Sequence, residues 1–203
     1  MRQINLFDAP TQIRESGLHA DYCEQFLTNE IAHAAYHQIM ETTEWTQPTL
    51  KVYGKWHLSP RLLQFFGDPH LRKSYSGQAH VPAPWTPLLL DLKYQVEAQS
   101  DAEFNCVLVN YYRDGQDSVG WHADDETQLG DNPVIASLTL GGQRPFDLRH
   151  QNDKQLKSIR IILSHGSLLV MRPPTQQYWH HQVPKTTRYN EPRLNLTFRR
   201  IVR

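Results

Sequence analysis

Two stretches in the first half of the chain carry apolar residues every three to four positions, the spacing of an amphipathic helix. Over residues 21–41 this spacing predicts one or two helices. A further helix is predicted to begin with Thr86 as its N-cap and Pro87 in its first turn, and to end near Gln99. The rest of the chain is expected to be mostly strand.

The second half of the chain alternates with a period of two, as strands do. Segments rich in β-branched and aromatic residues predict strands at residues 104–112, 134–140, 145–149, 158–171 with a break near His165-Gly166, 178–183 and 193–202. Many short strands after a helical start are typical of a sandwich or a barrel-like jelly roll with helices packed outside. We therefore expect an α+β, mainly β fold.

Length and composition indicate one globular domain. The chain has 203 residues, of which 39% are hydrophobic and 21% charged, a balance that excludes a disordered chain. Pro10 and Gly17 interrupt any period before residue 19, so we expect an irregular arm over 1–18 and a single domain over 19–203. No stretch approaches the roughly 18 apolar residues of a membrane helix, and the N-terminus does not resemble a secretory signal. We expect a cytosolic monomer in a bacterium, or a nuclear protein in a eukaryote, without a membrane partner.

Charge is unevenly distributed although the net charge is zero. Residues 154–203 hold 10 basic and 1 acidic side chains, whereas residues 101–153 hold 3 basic and 10 acidic ones. A polyanion such as nucleic acid could bind the basic segment, because Lys and Arg contacts to phosphates supply most non-specific affinity. A basic face balanced by an acidic neighbour fits the same pattern, so charge alone leaves both interpretations open.

A candidate metal site lies in the segment NYYRDGQDSVGWHADDE, where His122 and Asp124 stand two residues apart. Residues at i and i+2 of a strand share a face, so both side chains can point into one cavity. A His-x-Asp pair with one distant His has the composition of the facial triad that binds Fe(II) and leaves coordination positions open. His181, in the strand predicted at 178–183, is the candidate third ligand. A solvated turn is the alternative for the His-x-Asp pair.

The last predicted strand has one polar and one apolar face. The polar face consists of Arg193, Asn195, Thr197 and Arg199. Such a row is costly unless it faces solvent or an anion. One interpretation is a solvated edge strand. The other is a pocket in which Arg guanidinium groups hold the distal carboxylate of 2-oxoglutarate, whose keto-acid end chelates iron.

Four motifs occur in one order along the chain: Asn110 to Gly115 (NYYRDG), His122 to Glu126 (HADDE), His181 to Pro184 (HQVP) and Arg193 to Arg199 (RLNLTFR). In these motifs the sequence resembles the AlkB family of Fe(II)- and 2-oxoglutarate-dependent dioxygenases, which repair alkylated nucleic acid. The resemblance covers roughly Val52 to the C-terminus. The stretch VYGKWH, Pro60-Arg61 and the run Asp124 to Glu126 are most similar to the branch whose human member acts on duplex DNA.

The resemblance implies a double-stranded β-helix with a core over about 104–203 and iron held by His122, Asp124 and His181. His180 is the rival ligand. Adjacent strand residues face opposite ways, so only one of the two histidines can reach the metal, and the following Gln-Val-Pro aligns His181 with the family's ligand.

The resemblance also implies the residues that bind 2-oxoglutarate. Arg193 is expected to pair with the distal carboxylate, with help from Tyr112 and Asn195. Asn110, Thr197 and Arg199 are expected to complete that pocket.

For the substrate, the resemblance implies a nucleotide-recognition region over about 51–80. Tyr75 is expected to stack a flipped base against His122, with Glu126 favouring a cationic base such as 1-methyladenine or 3-methylcytosine. Tyr53 matches a finger residue that enters the duplex, and Arg61 is expected near the DNA backbone. Lys73 departs from the aromatic residue of the duplex-acting relative.

The activity implied is oxidative demethylation of damaged DNA, duplex or single-stranded. Fe(II), 2-oxoglutarate and O2 are the expected cofactor and cosubstrates, and formaldehyde, succinate and CO2 the products. Three alternatives remain: an RNA demethylase, a 2-oxoglutarate-dependent protein hydroxylase, and a non-catalytic jelly-roll module that binds nucleic acid.

Overall fold

The computed structural model describes residues 9–52, 54–71, 73–75 and 78–202. Over these residues the helices are α1 (Asn29–Thr42), α2 (Pro87–Ser100) and α3 (Thr175–Tyr178). The strands are β1 (Thr11–Glu15), β2 (Leu18–Cys23), β3 (Thr49–Val52), β4 (Lys55–Leu58), β5 (Leu62–Gly67), β6 (Lys73–Tyr75), β7 (Gln78–His80), β8 (Cys106–Tyr112), β9 (Val119–His122), β10 (Ile135–Gly141), β11 (Arg144–His150), β12 (Ile159–Leu163), β13 (Leu168–Arg172), β14 (Trp179–Val183) and β15 (Arg193–Arg199). None of these helices is long and apolar enough to cross a membrane.

Two antiparallel sheets form the body of the described chain. The major sheet has seven strands in the order β1-β2-β13-β10-β15-β8-β5, and the minor sheet has four in the order β12-β11-β14-β9. Of two further hairpins, β6–β7 lies within the predicted nucleotide-recognition region of 51–80, and β3–β4 begins two residues before it. The mainly β fold with a jelly-roll core is confirmed.

The major sheet lies between the helices and the minor sheet. On one of its faces, Val107 and Leu196 pack with the helices through Ile39 of α1 and Leu92 of α2. The other face packs against the minor sheet in a second cluster, to which Leu169 of β13, Phe146 of β11 and Trp179 of β14 contribute. The space between the two sheets is where inward-facing polar side chains meet.

Helix α2 begins as the sequence predicts. The hydroxyl of Thr86 accepts a hydrogen bond of 3.2 Å from the backbone N–H of Leu89, and Pro87 occupies the first turn. Asp101, in the left-handed region at φ 50°, ends the helix. Local signals suffice here because capping depends on residues within one turn.

The prediction of an irregular arm over 1–18 is wrong for residues 11–15, which form β1. Gly17, at φ +70°, makes the turn that returns the chain as β2, and β2 pairs with β13 of the major sheet. The helix predicted from residue 21 is wrong for residues 21–23, which belong to β2, and α1 starts at Asn29. Both errors arise because sheet pairing overrides local periodicity: β2 pairs with β13, about 150 residues away, and β1 joins the sheet by pairing with β2. Residues 1–8 lie outside the described residues.

The six predicted strand segments of the second half all contain strands. The segment 158–171 divides into β12 and β13 at a turn that includes Gly166, at φ +74°. The segment 193–202 ends earlier than predicted, at Arg199. Period two therefore located these elements correctly and misplaced only their ends.

Candidate active site

The three predicted metal ligands meet between the sheets. β9 ends at His122, Asp124 follows two residues later, and β14 carries His181 directly opposite His122. One donor atom from each of the three side chains lies within 4.8 Å of the other two. His181 is buried on the inner face of β14, whereas its neighbour His180 is half-buried on the outer face. Strand alternation thus separates the two candidate histidines as expected.

Both histidine rings are held in a form that can bind a cation. The Nδ1 atom of His122 lies 2.8 Å from the carbonyl oxygen of Gly120, so Nδ1 carries the proton and Nε2 keeps its lone pair. Burial, together with the nearby His122, lowers the pKa of His181 to about 3. The ring of His181 is therefore neutral at pH 7, and it stacks on Phe146 with ring centroids 5.2 Å apart.

Asp124 is held as a carboxylate. Burial alone would raise its pKa, but Arg199, His181 and His122 together keep the pKa well below its usual range. Nη2 of Arg199 donates to Oδ1 of Asp124 at 2.6 Å, and Gln176 accepts the backbone N–H of Asp124 at 2.9 Å. Oδ2 of Asp124 has no hydrogen-bond partner among the described residues. A buried carboxylate oxygen free to ligate, beside two imidazole rings, fits Fe(II).

The polar face of β15 is buried. β15 lies between β10 and β8, and all seven of its residues are buried. Its row pairs with polar residues of β8, since Arg193 lies opposite Tyr112 and Asn195 lies opposite Asn110. The alternative of a solvated edge strand is therefore wrong.

Hydrogen bonds link this row to the next strand. Nδ2 of Asn195 donates to Oγ of Ser137 at 2.7 Å, and the hydroxyl of Thr197 donates to Oδ1 of Asn195 at 3.0 Å. Nη2 of Arg193 donates to the hydroxyl of Thr139 at 2.9 Å. The row is thus fixed on three adjacent strands, β10, β15 and β8.

Arg193 is a buried cation that pairs with no carboxylate among the described residues. It is fully buried, its Nε and Nη1 have no hydrogen-bond partner within the described part of the chain, and its guanidinium carbon lies 5.2 Å from the Tyr112 ring centroid. Burial, with the charge of Arg144 nearby, lowers its pKa to about 10, so it stays protonated at pH 7. Two free donors on a buried guanidinium group fit the distal carboxylate of 2-oxoglutarate.

A pocket of about 430 Å³, partly open to solvent, joins the two groups of residues. The His122, Asp124 and His181 side chains line it together with Asn110, Tyr112, Asn195, Thr197 and Arg199. The predicted metal ligands and five of the predicted cosubstrate residues therefore share one pocket.

Arg61 does not lie where the sequence placed it. It is only 5% exposed, its Nε donates to Oδ1 of Asn110 at 2.7 Å, and its Nη1 donates to the carbonyl of Ser118 at 3.3 Å. The expected position at the DNA backbone is wrong, because β5, which follows Arg61, pairs with β8 and directs the guanidinium group into the pocket.

The other predicted substrate residues are only partly described. Glu126 is half-buried, its Oε2 has no partner among the described residues, and its charge acts on Arg199. Tyr53 lies outside the described residues. Tyr75 ends β6, and its side chain lies outside the described part. The roles of these three residues stay predictions.

Among the residues that sequence reasoning did not assign to the site are Ser137, Thr139, Phe146 and Gln176. For the first two a signal existed, because they alternate with apolar residues in the strand predicted at 134–140 and so share a face. Phe146 and Gln176 reach the site only through the way the two sheets pack, for which the sequence holds no local signal.

The chain is similar to known proteins in sequence and in fold. A family model described as the 2OG-Fe(II) oxygenase superfamily matches residues 19–199, which begins well before the resemblance seen from Val52. The chain is 38% identical over 200 residues to the DNA oxidative demethylase ALKBH2 of Bos taurus, covering 94% of this chain and 72% of that protein. It is 36% identical over 199 residues to the DNA oxidative demethylase ALKBH2 of Homo sapiens, covering 94% and 76%.

A second group of relatives carries another name. The chain is 38% identical over 187 residues to the alpha-ketoglutarate-dependent dioxygenase alkB homolog 3 of Bos taurus, covering 88% of this chain and 65% of that protein. Among solved structures, OsALKBH1 matches with a TM-score of 0.65 at 16% identity, over 94% of this chain and 99% of that one, which supports the fold.

Proposed function

The chain belongs to the AlkB family within the 2OG-Fe(II) oxygenase superfamily, and from this premise we propose that it is a DNA oxidative demethylase. Its substrates are N-methylated bases such as 1-methyladenine and 3-methylcytosine. One observation carries the proposal: three convergent metal ligands share a pocket with Asn195, Thr197 and Arg199 of β15, and the same polar row continues to Arg193, a buried cation that pairs with no described carboxylate. The similarity to the DNA oxidative demethylase ALKBH2 of Bos taurus and of Homo sapiens supplies the substrate class.

When bound, Fe(II) and 2-oxoglutarate supply the activation of O2 that hydroxylates the methyl group, which then leaves as formaldehyde, with succinate and CO2 as co-products. His122, Asp124 and His181 would hold the iron, since one donor atom of each lies within 4.8 Å of the other two. Arg199 keeps Asp124 ionised and oriented. Arg193, fixed by Thr139, holds the distal carboxylate.

Selection of the damaged base is assigned to Glu126 and Tyr75. Glu126 has a carboxylate oxygen without a partner among the described residues, and its negative charge favours a base that methylation has made cationic. Tyr75 stacks the flipped base. A methylated base that pairs poorly costs less to flip than an intact pair, which favours damaged sites.

We assign the contacts with DNA outside the pocket to exposed basic residues of the last fifty positions: Lys154, Lys157, Lys185 and Arg188. Such side chains contact phosphates without reading sequence, so the proposed binding is general and weakens with salt. We assign DNA as the main substrate, with RNA as the alternative.

The test follows demethylation by mass. Single- and double-stranded DNA and RNA oligonucleotides that carry 1-methyladenine or 3-methylcytosine are incubated with the protein, Fe(II), 2-oxoglutarate and O2. We expect loss of one methyl group from DNA with one succinate formed per event, and no loss with His122→Ala. Intact methylated DNA beside succinate formation would overturn the proposal and favour a protein hydroxylase. Demethylation of RNA alone would move the chain to the RNA alternative.

A further inference from the structure

A second buried arginine lies behind the cosubstrate pocket. Arg144, the first residue of β11, is fully buried and makes no ion pair with any described carboxylate. Its guanidinium group donates to three backbone carbonyl oxygens, those of Asp114 at 2.9 Å, Asp117 at 2.7 Å and Pro184 at 2.8 Å. A buried cation bound only by neutral acceptors is costly, so its place in the fold calls for a reason beyond packing.

The three carbonyls belong to the two loops that cross between the sheets on this side of the pocket. Loop 113–118 joins β8, which carries Tyr112, to β9, which carries His122. Loop 184–192 joins β14, which carries His181, to β15, which carries Arg193. Each loop therefore connects a metal-ligand strand with a cosubstrate strand, and Arg144 bonds to both.

The two loops also bind each other closely. The backbone N–H of Thr186 donates to the carbonyl of Gly115 at 2.8 Å, and the N–H of Gly115 donates to Oδ1 of Asn190 at 3.0 Å. A Cβ atom at Gly115 would lie 2.0 Å from the carbonyl oxygen of Thr186. Arg144 thus holds a closely fitted junction rather than two independent loops.

Arg144 lies beside Tyr112 as well. Its guanidinium carbon is 5.3 Å from the centroid of the Tyr112 ring, and that of Arg193 is 5.2 Å from the same centroid. Two buried guanidinium groups therefore flank one ring. An anion bound beside Arg193 would offset the repulsion between these two cations.

We propose that Arg144 is a positioning residue for the cosubstrate: by tying the two loops together and placing Tyr112 beside Arg193, it sets how strongly the pocket prefers a 2-oxo acid with a distal carboxylate. Arg144 acts through Tyr112 and Arg193. The inference rests on the proposed use of 2-oxoglutarate but not on the proposed nucleic-acid substrate.

The test measures binding in the full chain with Mn(II) in place of Fe(II). Dissociation constants are determined by calorimetry for 2-oxoglutarate and for 2-oxopentanoate, which lacks the distal carboxylate. For Arg144→Met we expect 2-oxoglutarate to bind about tenfold more weakly, the usual effect of removing a residue that orients a ligand-binding side chain. The dissociation constants of 2-oxopentanoate and Mn(II) are expected to change little. Arg14→Met, which removes an exposed arginine on β1, is the matched control and is expected to leave both constants unchanged.

A purely structural role predicts a different result. It would lower the melting temperature of Arg144→Met and weaken both 2-oxo acids equally, and that outcome overturns the proposal. Should the methionine variant fail to fold, Arg144→Lys decides, since one ammonium group cannot span the carbonyls of both loops as a guanidinium group does. If the lysine variant prefers 2-oxoglutarate over 2-oxopentanoate as strongly as the wild type does, the proposal is overturned. A weaker preference for 2-oxoglutarate supports it. Because binding is the readout, failure to demethylate DNA would refute the proposed function and leave this inference standing.

Discussion

Individual side chains at the metal site can be tested against their neighbours. His181 is buried and faces His122, whereas His180 lies on the opposite face of β14. We expect His181→Ala to abolish Mn(II) binding, because one of three ligands is lost, and His180→Ala to retain it. Metal content after dialysis measures both. Retained binding in His181→Ala together with loss in His180→Ala would contradict the assignment.

Protonation of His165 should couple stability to pH. Burial, and then the nearby His33, lower the pKa of His165, whose Nδ1 accepts the backbone N–H of Gly141 at 2.8 Å. In the unfolded chain the pKa is about 6.5, so as the pH falls through this value the unfolded state takes up a proton that the folded state resists. The stabilising effect of the neutral ring is therefore present above that pKa and is lost below it.

His165→Asn provides the comparison, because its Oδ1 can accept the same hydrogen bond but does not titrate. We expect the free energy of unfolding of the wild type to fall relative to this variant between about pH 8 and pH 5. Urea unfolding at several pH values measures the difference. Parallel curves for the two proteins would show that His165 does not contribute to the pH dependence.

At the scale of elements, the junction of loops 113–118 and 184–192 depends on the absence of a side chain at Gly115. We expect Gly115→Ala to lower the free energy of unfolding by about 1–3 kcal/mol, the usual cost of overpacking, since its Cβ would lie 2.0 Å from the carbonyl of Thr186. Gly120→Ala is the matched control, because a Cβ there meets nothing within 4 Å. Equal stability of the two variants would show that the loops separate without cost.

At the scale of the whole molecule, the proposed function predicts that some substitutions impair repair of duplex DNA more than repair of single-stranded DNA. Tyr75→Ala is expected to weaken repair of both, because base stacking, worth about 1–3 kcal/mol, is needed in each case. Tyr53→Ala is expected to impair duplex repair more, since only a duplex leaves a gap to fill and a partner base to displace. Rates on matched oligonucleotides measure both effects. Equal losses with Tyr53→Ala would remove the finger role and favour a single-strand enzyme.

The sequence by itself determined those features that depend on near neighbours. Period two located six segments of residues 104–202 that contain strands, but not β9, and assigned the polar residues of β15 to one face; the Thr86-Pro87 cap located α2. The spacing of His122 and Asp124, with the AlkB motifs, indicated the metal site that the fold brings together. Each of these features follows from backbone geometry over a few residues.

Only the tertiary structure decided what covers each face. Alternation states that Arg193 and Asn195 share a face, but the position of β15 between β10 and β8 is what buries them. The sequence predicts Arg61 as a surface cation, but the pairing of β5 with β8 directs its side chain to Asn110. Residues 11–15 become a strand only because the β1–β2 hairpin joins β13. Burial depends on strand order and sheet packing, which join residues far apart in the chain and leave no local pattern.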